Sequence, residues 1–276
     1  MVNRKDLNPE SSPQAAFGAQ LRSHREKKGW RQEDLAERME YSSTHMSSVE
    51  TGRKMPTLRF ARSADRALGT GDLFERLWRE IKHGVLLEGF SEYVGYEGRA
   101  VEIRLYEIGI VPGLLQTPEY ARVLADSAVR RGAISQEQAD ERVAFLAERQ
   151  AVLERERPPM TFVVMDESCI RRHIGAPGVM TAQLDRLSEF AARPHTVLQI
   201  APFDMGERRT FDLPVYLLTL TDRSVLYYAE SQTQGHLDRE TTSVVPVLTA
   251  YHQLQAEALS QAASVAMIEQ LRKGTP

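Results

Sequence analysis

Between Gln32 and Glu50 the chain sets two short runs of helical apolar spacing almost end to end: Leu35, Ala36 and Met39, then Met46 and Val49. The pattern predicts one helix near Gln32 to Met39, a tight turn, and a second near Ser43 to Glu50. Two helices joined this closely must cross, and the small Ala36 suits the crossing point while Leu35, Met46 and Val49 fill the wedge between them. Ser43, Thr44, Ser47 and Ser48 are then left for the outer face.

That layout is a helix-turn-helix, in which the second helix enters the DNA major groove while the first crosses the backbone. Short hydroxyls on the outer face can reach base edges or phosphates. Gln32, opening the first helix, can present its amide and a helix N-terminus to a phosphate. Arg53 and Lys54 follow the second helix and are placed to touch phosphate. The surrounding sequence extends the pattern into four or five short helices punctuated by Gly29, Gly52, Pro56 and Gly69, with Phe17, Leu21, Phe60, Ala64 and Leu68 as core positions. Charge distribution agrees: residues 1–70 hold 13 Lys and Arg against 9 Asp and Glu, whereas the rest hold 22 against 29. The first part is thus net +4 and the remainder −7, which suits a DNA-binding module joined to an acidic domain.

A chain of 276 residues is long enough for about two domains. The expected division is a polar, disordered arm over residues 1–14, an all-α domain over 15–71, and a larger α+β domain over 72–276. An amphipathic helix from Asp72 to Phe90, carrying Leu73, Phe74, Leu77, Trp78, Ile81 and Val85, is expected to open the larger domain. Strand-like runs follow at 99–110, 161–167, 195–202, 214–220 and 224–230, the last three readable as a meander. A terminal helical stretch carries Val247, Leu248, Tyr251, Leu254, Ala258 and Leu259 and continues to Leu271. No apolar run approaches the length of a membrane span, no secretion signal is seen, and the single cysteine, Cys169, rules out an intrachain disulfide framework. The expected setting is the cytoplasm.

The segment from Phe17 to Gly69, through LRSHREKKGW, RQEDLAERM, SSTHMSSVETGRKMP and RALG, resembles the XRE family of helix-turn-helix regulators, which includes the lambda-type phage repressors. The resemblance implies a lambda-repressor-like fold and binding to double-stranded DNA. It also implies contact with DNA through the positions matching Gln32, Ser43, Thr44 and Ser48, and an ion pair between Arg25 and Glu50. Glu40 stands where the family usually has a turn glycine, so a differently shaped turn is expected. The outer face lacks long Gln, Asn or Arg side chains, so DNA shape, bridging water or dimer spacing must add to direct readout. Segments VPGLLQTPEYA, ERVAFLAERQAVL, TFVVMDES, LQIAPFDMGE and VLYYAES resemble XRE-type regulators of the WhiJ-like, antitoxin-like class. That likeness implies a protein-binding role, with a small partner protein encoded nearby. VPGLLQTPEYA also has a structural reading: a turn at Pro112 and Gly113, packing by Leu114 and Leu115, and Thr117 capping a helix that starts at Pro118.

Other functions leave weaker marks. The seven histidines are scattered and show no HExxH, HxH or Cys/His cluster, so no metal is expected. GxSxG, P-loop and GxGxxG motifs are absent, and no catalytic residue or cofactor is assigned. Asp166, Glu167 and Glu230, at the ends of strand-like runs, are the carboxylates to test for an acid/base pair. Phe162, Tyr216, Tyr227 and Tyr228 are candidates to line a ligand cavity. A homodimer is expected because one small module offers few base contacts, with Leu73, Leu77, Trp78 and Ile81, or Leu248, Tyr251, Leu254 and Leu259, as the interface.

Overall fold

The computed structural model describes residues 13–83, 89–230 and 235–274, without the side chains of residues 79, 80, 82 and 83. The chain divides into two units, Met1–Leu86 and Leu87–Pro276.

The first unit is all helical: α1 (Pro13–Lys27), α2 (Gln32–Met39), α3 (Ser43–Glu50), α4 (Leu58–Leu68) and α5 (Leu73–His83). Ser42 caps α3 by accepting from the His45 N–H at 3.2 Å, and Thr57 caps α4 by accepting from the Phe60 N–H at 3.1 Å. The core gathers Phe17 and Leu21 of α1, the α2 and α3 wedge residues, Phe60 and Ala64 of α4, and Phe74 and Ile81 of α5. Of the arm expected over 1–14, residues 1–12 lie outside the described residues, while Pro13 and Gln14 belong to α1.

The expected boundary after Gly71 is corrected by α5, which belongs to the first unit. Phe74 is fully buried with its ring edge-on to Phe17 at 5.3 Å. Buried Asp65 of α4 accepts the N–H groups of Phe74 and Glu75, both at 2.9 Å, so a carboxylate of one helix caps the start of the next. Arg62 adds two hydrogen bonds to Glu75, at 2.9 and 3.1 Å. The helix stops at His83, short of Phe90, and Val85 lies outside the described residues.

The second unit is α+β. Six strands, β1 (Glu102–Glu107), β2 (Met160–Asp166), β3 (Thr196–Ala201), β4 (Val215–Thr219), β5 (Val225–Glu230) and β6 (Gly235–Asp238), form one sheet in the order β3-β2-β1-β4-β5-β6. β1, β2 and β3 run parallel, and β4, β5 and β6 pair antiparallel. The expected meander is therefore half correct: β4 and β5 form a hairpin, whereas β3 sits at the opposite edge beside β2. On one face Ile103, Leu105, Val163, Leu198, Leu218 and Tyr228 meet residues of α6 (Phe90–Glu97), α7 (Pro118–Arg130), α10 (Pro177–Ala191) and α12 (Gln261–Arg272). α8 (Gln136–Gln150) packs on α7, and the short α9 (Ser168–Arg171) follows β2. On the other face Tyr106, Val164 and Leu217 are covered by Val244, Tyr251 and Leu254 of α11 (Thr241–Glu257). The expected continuous terminal helix is thus two, with Ser260 capping α12 through the Ala263 N–H at 3.2 Å.

The VPGLLQTPEYA segment is built as a buried loop whose backbone is satisfied by glutamines. Gln116 donates to the Val111 carbonyl at 2.8 Å, Gln150 to those of Gly113 and Gln116, and Gln183 to that of Leu115 while accepting the Thr117 N–H. Thr117 accepts the Tyr120 N–H at 3.2 Å, with Pro118 at the first helical position.

Candidate nucleic-acid interface

α2 and α3 are held at a fixed angle by one buried carboxylate. Glu50, the last residue of α3, has no solvent exposure. Arg25 of α1 donates to its Oε1 from Nε at 3.1 Å and Nη2 at 2.5 Å, and Arg22 Nε lies 3.5 Å away. Arg25 also donates to the Trp30 carbonyl at 2.7 Å, which ties in the chain entering α2. Gln32 Nε2 donates to Glu50 Oε2. Gln32 therefore differs from its expected role in part: its amide nitrogen braces α2 against the end of α3.

A second device brings α1 close. At Gly18 an added Cβ would collide with the backbone carbonyl of Glu50 and come within 3.0 Å of the Val49 oxygen. Only glycine allows α1 to lie this near the end of α3.

The turn between α2 and α3 keeps left-handed geometry although no glycine is present. Glu40 has φ 60° and ψ 41°, and the N–H groups of Glu40 and Tyr41 donate to Glu37 and Ala36 carbonyls at 3.1 and 2.9 Å. The expectation of a differently shaped turn is corrected: two helix-ending hydrogen bonds compensate the strain of a side chain at positive φ.

With the helices fixed, Gln32, Ser43, Thr44, Ser47, Ser48 and Arg53 line one open concavity of about 580 Å³, joined by Arg31 and Glu33. Ser43 and Thr44 are exposed, Ser47 and Ser48 half-buried. The Ser48 hydroxyl donates to the Thr44 carbonyl at 2.9 Å, leaving its lone pairs outward. Arg53 Nε donates to the Thr51 hydroxyl at 3.0 Å, which directs the guanidinium while its terminal nitrogens stay available. Lys54 does not line the concavity; its Nζ lies 3.4 Å from His45 Nδ1. His45 is held below its ordinary pKa by burial and by the Lys54 charge, and stacks on Phe60 at 5.5 Å.

A family model described as "Domain of unknown function (DUF5753)" matches residues 90–270, well over half of the chain. The chain belongs to this family. A model described as "Helix-turn-helix domain" matches residues 16–77, running past Gly71 into α5 as the packing does. The first unit of this DUF5753 protein is a helix-turn-helix domain, which supports a DNA-binding regulator. No curated protein and no solved structure matches the chain.

Sequence reasoning on the DUF5753 protein missed Arg31 and Glu33 at the concavity; their place beside Gln32 at the start of α2 was the available signal. It missed Gly18 and Arg22 because nothing local marks an approach to a helix end some thirty positions away.

Of the carboxylates set apart for acid/base chemistry, Asp166 and Glu230 do not meet. Asp166 alternates with Phe162 and Val164 toward the face covered by α11, while Glu230 follows Leu226 and Tyr228 toward the opposite face. Asp166 accepts the Ser168 N–H at 2.9 Å and lies 3.6 Å from Arg209. Glu167 pairs with Arg171 and accepts the Phe203 N–H at 2.8 Å, and Glu230 accepts the Tyr228 hydroxyl at 3.0 Å. The same alternation separates the four aromatics: Tyr216 and Tyr228 face one side, Phe162 and Tyr227 the other, so no single cavity is theirs. Cys169 is buried and its thiol is pushed up, chiefly by that burial. Among the described residues no group of His, Cys, Asp and Glu could hold a metal ion, and no helix is long and apolar enough to cross a membrane.

Proposed function

We propose that this protein is a sequence-specific transcription regulator of the XRE class, whose first unit reads double-stranded DNA and whose second unit receives the signal. The observation that carries the reading is the convergence of Gln32, Ser43, Thr44, Ser47, Ser48 and Arg53 on one concavity beside a rigidly braced α3. Hydroxyls on α3 supply base and phosphate contacts, and Arg53 with Arg31 supplies charge. Titrations of duplex DNA at several salt concentrations test it. Arg53→Ala should weaken binding to all sequences and flatten the salt slope by about one unit, whereas Thr44→Ala should change base preference. Unchanged affinity in both variants would remove this face from the interface.

The operator is read by two copies, because a single module of this size buries only about 600–1,000 Å² on DNA. The two helices first considered for the dimer contact have other duties: Phe74 and Ile81 of α5 fill the first unit's core, and Tyr251 and Leu254 of α11 cover the sheet. Leu73, Leu77 and Trp78 of α5 and Leu248 of α11 are only partly buried and remain the candidate contact.

An antitoxin-like role, binding a small partner protein, is favoured by two large apolar side chains left in solvent on the second unit, Phe203 at 57% and Leu213 at 56% exposure. Co-purification from the native cell separates the readings: a stoichiometric small protein, lost on Phe203→Ser, supports the partner.

A further inference from the structure

At the β4–β5 hairpin end of the sheet the second unit holds a cavity of about 510 Å³ with three arginines on its wall, each from a different element. Arg99 follows α6, Arg223 sits in the turn between β4 and β5, and Arg239 links β6 to α11. Tyr96 stands between two of them, its ring 4.7 Å from the Arg99 guanidinium carbon and 4.3 Å from that of Arg239. The floor is apolar, made by Val225, Val244 and Leu248, together with Val245, which is 51% exposed.

The cations outnumber their partners. Arg239 pairs with Glu92, and Arg99 uses Nε on the Gly95 carbonyl at 3.1 Å, leaving its terminal nitrogens. The Arg223 guanidinium has no partner among the described residues, although it stands at φ 72°, where glycine or asparagine is the usual choice. The one acid on the wall, Asp222, is engaged with the Ser224 N–H at 2.9 Å and hydroxyl at 2.6 Å. A site with surplus guanidinium on its rim, a stacked ring and an apolar floor is matched by a molecule with the opposite layout. Its volume lies within the roughly 300–1,000 Å³ of small-molecule pockets.

We propose that this cavity binds a small amphipathic anion, a carboxylate or an equivalent oxyanion on an apolar body, with Arg99 and Arg223 holding the anionic group and Val245 and Leu248 the apolar part. The site stands whether or not the first unit reads DNA. The test uses the full chain and anilinonaphthalene sulfonate, a fluorescent aromatic anion. Saturable one-to-one binding is expected, displaced by octanoate but not by octanol at equal concentration. The Arg99→Ala/Arg223→Ala double variant should bind the probe at least roughly tenfold more weakly at unchanged melting temperature, since each lost charge-assisted hydrogen bond is worth about that factor or more. Should the double variant fail to fold, Arg223→Ala alone carries the same comparison. Wild-type affinity in the folded variant, octanol competing as well as octanoate, or competition by an acidic peptide where octanoate fails would each overturn the assignment.

Discussion

Glu50 joins three elements through one carboxylate, and the cost of losing it follows from what would remain. Glu50→Ala would leave the buried Arg25 guanidinium without its counter-charge, a change expected to destabilise the first unit by about 3 kcal/mol. Gly18→Ala should cost about 2 kcal/mol by overpacking α1 against the backbone of α3. Both of the chain's tryptophans, Trp30 and Trp78, lie in this unit, so urea unfolding followed by their fluorescence measures it selectively; a wild-type midpoint in both variants would refute the bracing role. In the second unit burial raises the Glu107 carboxyl to about 7, with the Glu230 charge adding to the rise and the Tyr216 hydroxyl opposing it. A carboxyl raised above its ordinary 4.5 binds its proton more tightly when folded, so its stabilisation is complete below about pH 4.5 and is lost as pH climbs through 7. Glu107→Gln should therefore melt higher than the parent at pH 8, and the gap should shrink toward pH 5. A parent melting profile flat across that range would contradict this. Neither residue was legible by spacing: the Arg25–Glu50 pair came from family likeness, and Glu107 lay unmarked inside the strand-like run 99–110.

The turn between α2 and α3 shows what a local element can be asked directly. Glu40→Gly relieves a side chain at φ 60° and should stabilise the first unit by about 1 kcal/mol, with DNA affinity unchanged because the geometry is already left-handed. A fall in stability would mean that the Glu40 side chain contributes more than its strain costs. Short helices were readable because their apolar positions recur within four residues, and so the α2 and α3 spans follow from Leu35, Met39, Met46 and Val49. The strands were readable as strands but not in their order, since β3 joining β2 rather than β4 is decided by crossover packing that no single run encodes. β6 escaped because Gly235–Asp238 has neither an apolar run nor alternation, only its pairing to β5.

For the whole molecule the position of α5 decides how the chain can be cut. A fragment ending at Gly71 lacks Phe74 and Ile81 and exposes Phe17, so it should melt well below a fragment ending at Leu86, which keeps the full core. Circular dichroism melts of the two would settle it, and equal stability would return the boundary to Gly71. The amphipathic pattern of α5 was legible, but the partner for its apolar side was not, because a stripe of Phe74, Leu77 and Ile81 fits either neighbour and the choice rests on the Asp65 cap, the Arg62–Glu75 pair and the Phe17 contact. The strand order has a further consequence on the ribosome. In the finished sheet Glu102 pairs with Thr219, so β1 waits for more than a hundred later residues before its second edge is covered. At about 5–20 residues per second that interval is on the order of ten seconds. Among the described residues the helix-turn-helix core runs from Phe17 to Ile81, so during synthesis a nascent chain carries a complete helix-turn-helix core before the second unit has closed its sheet.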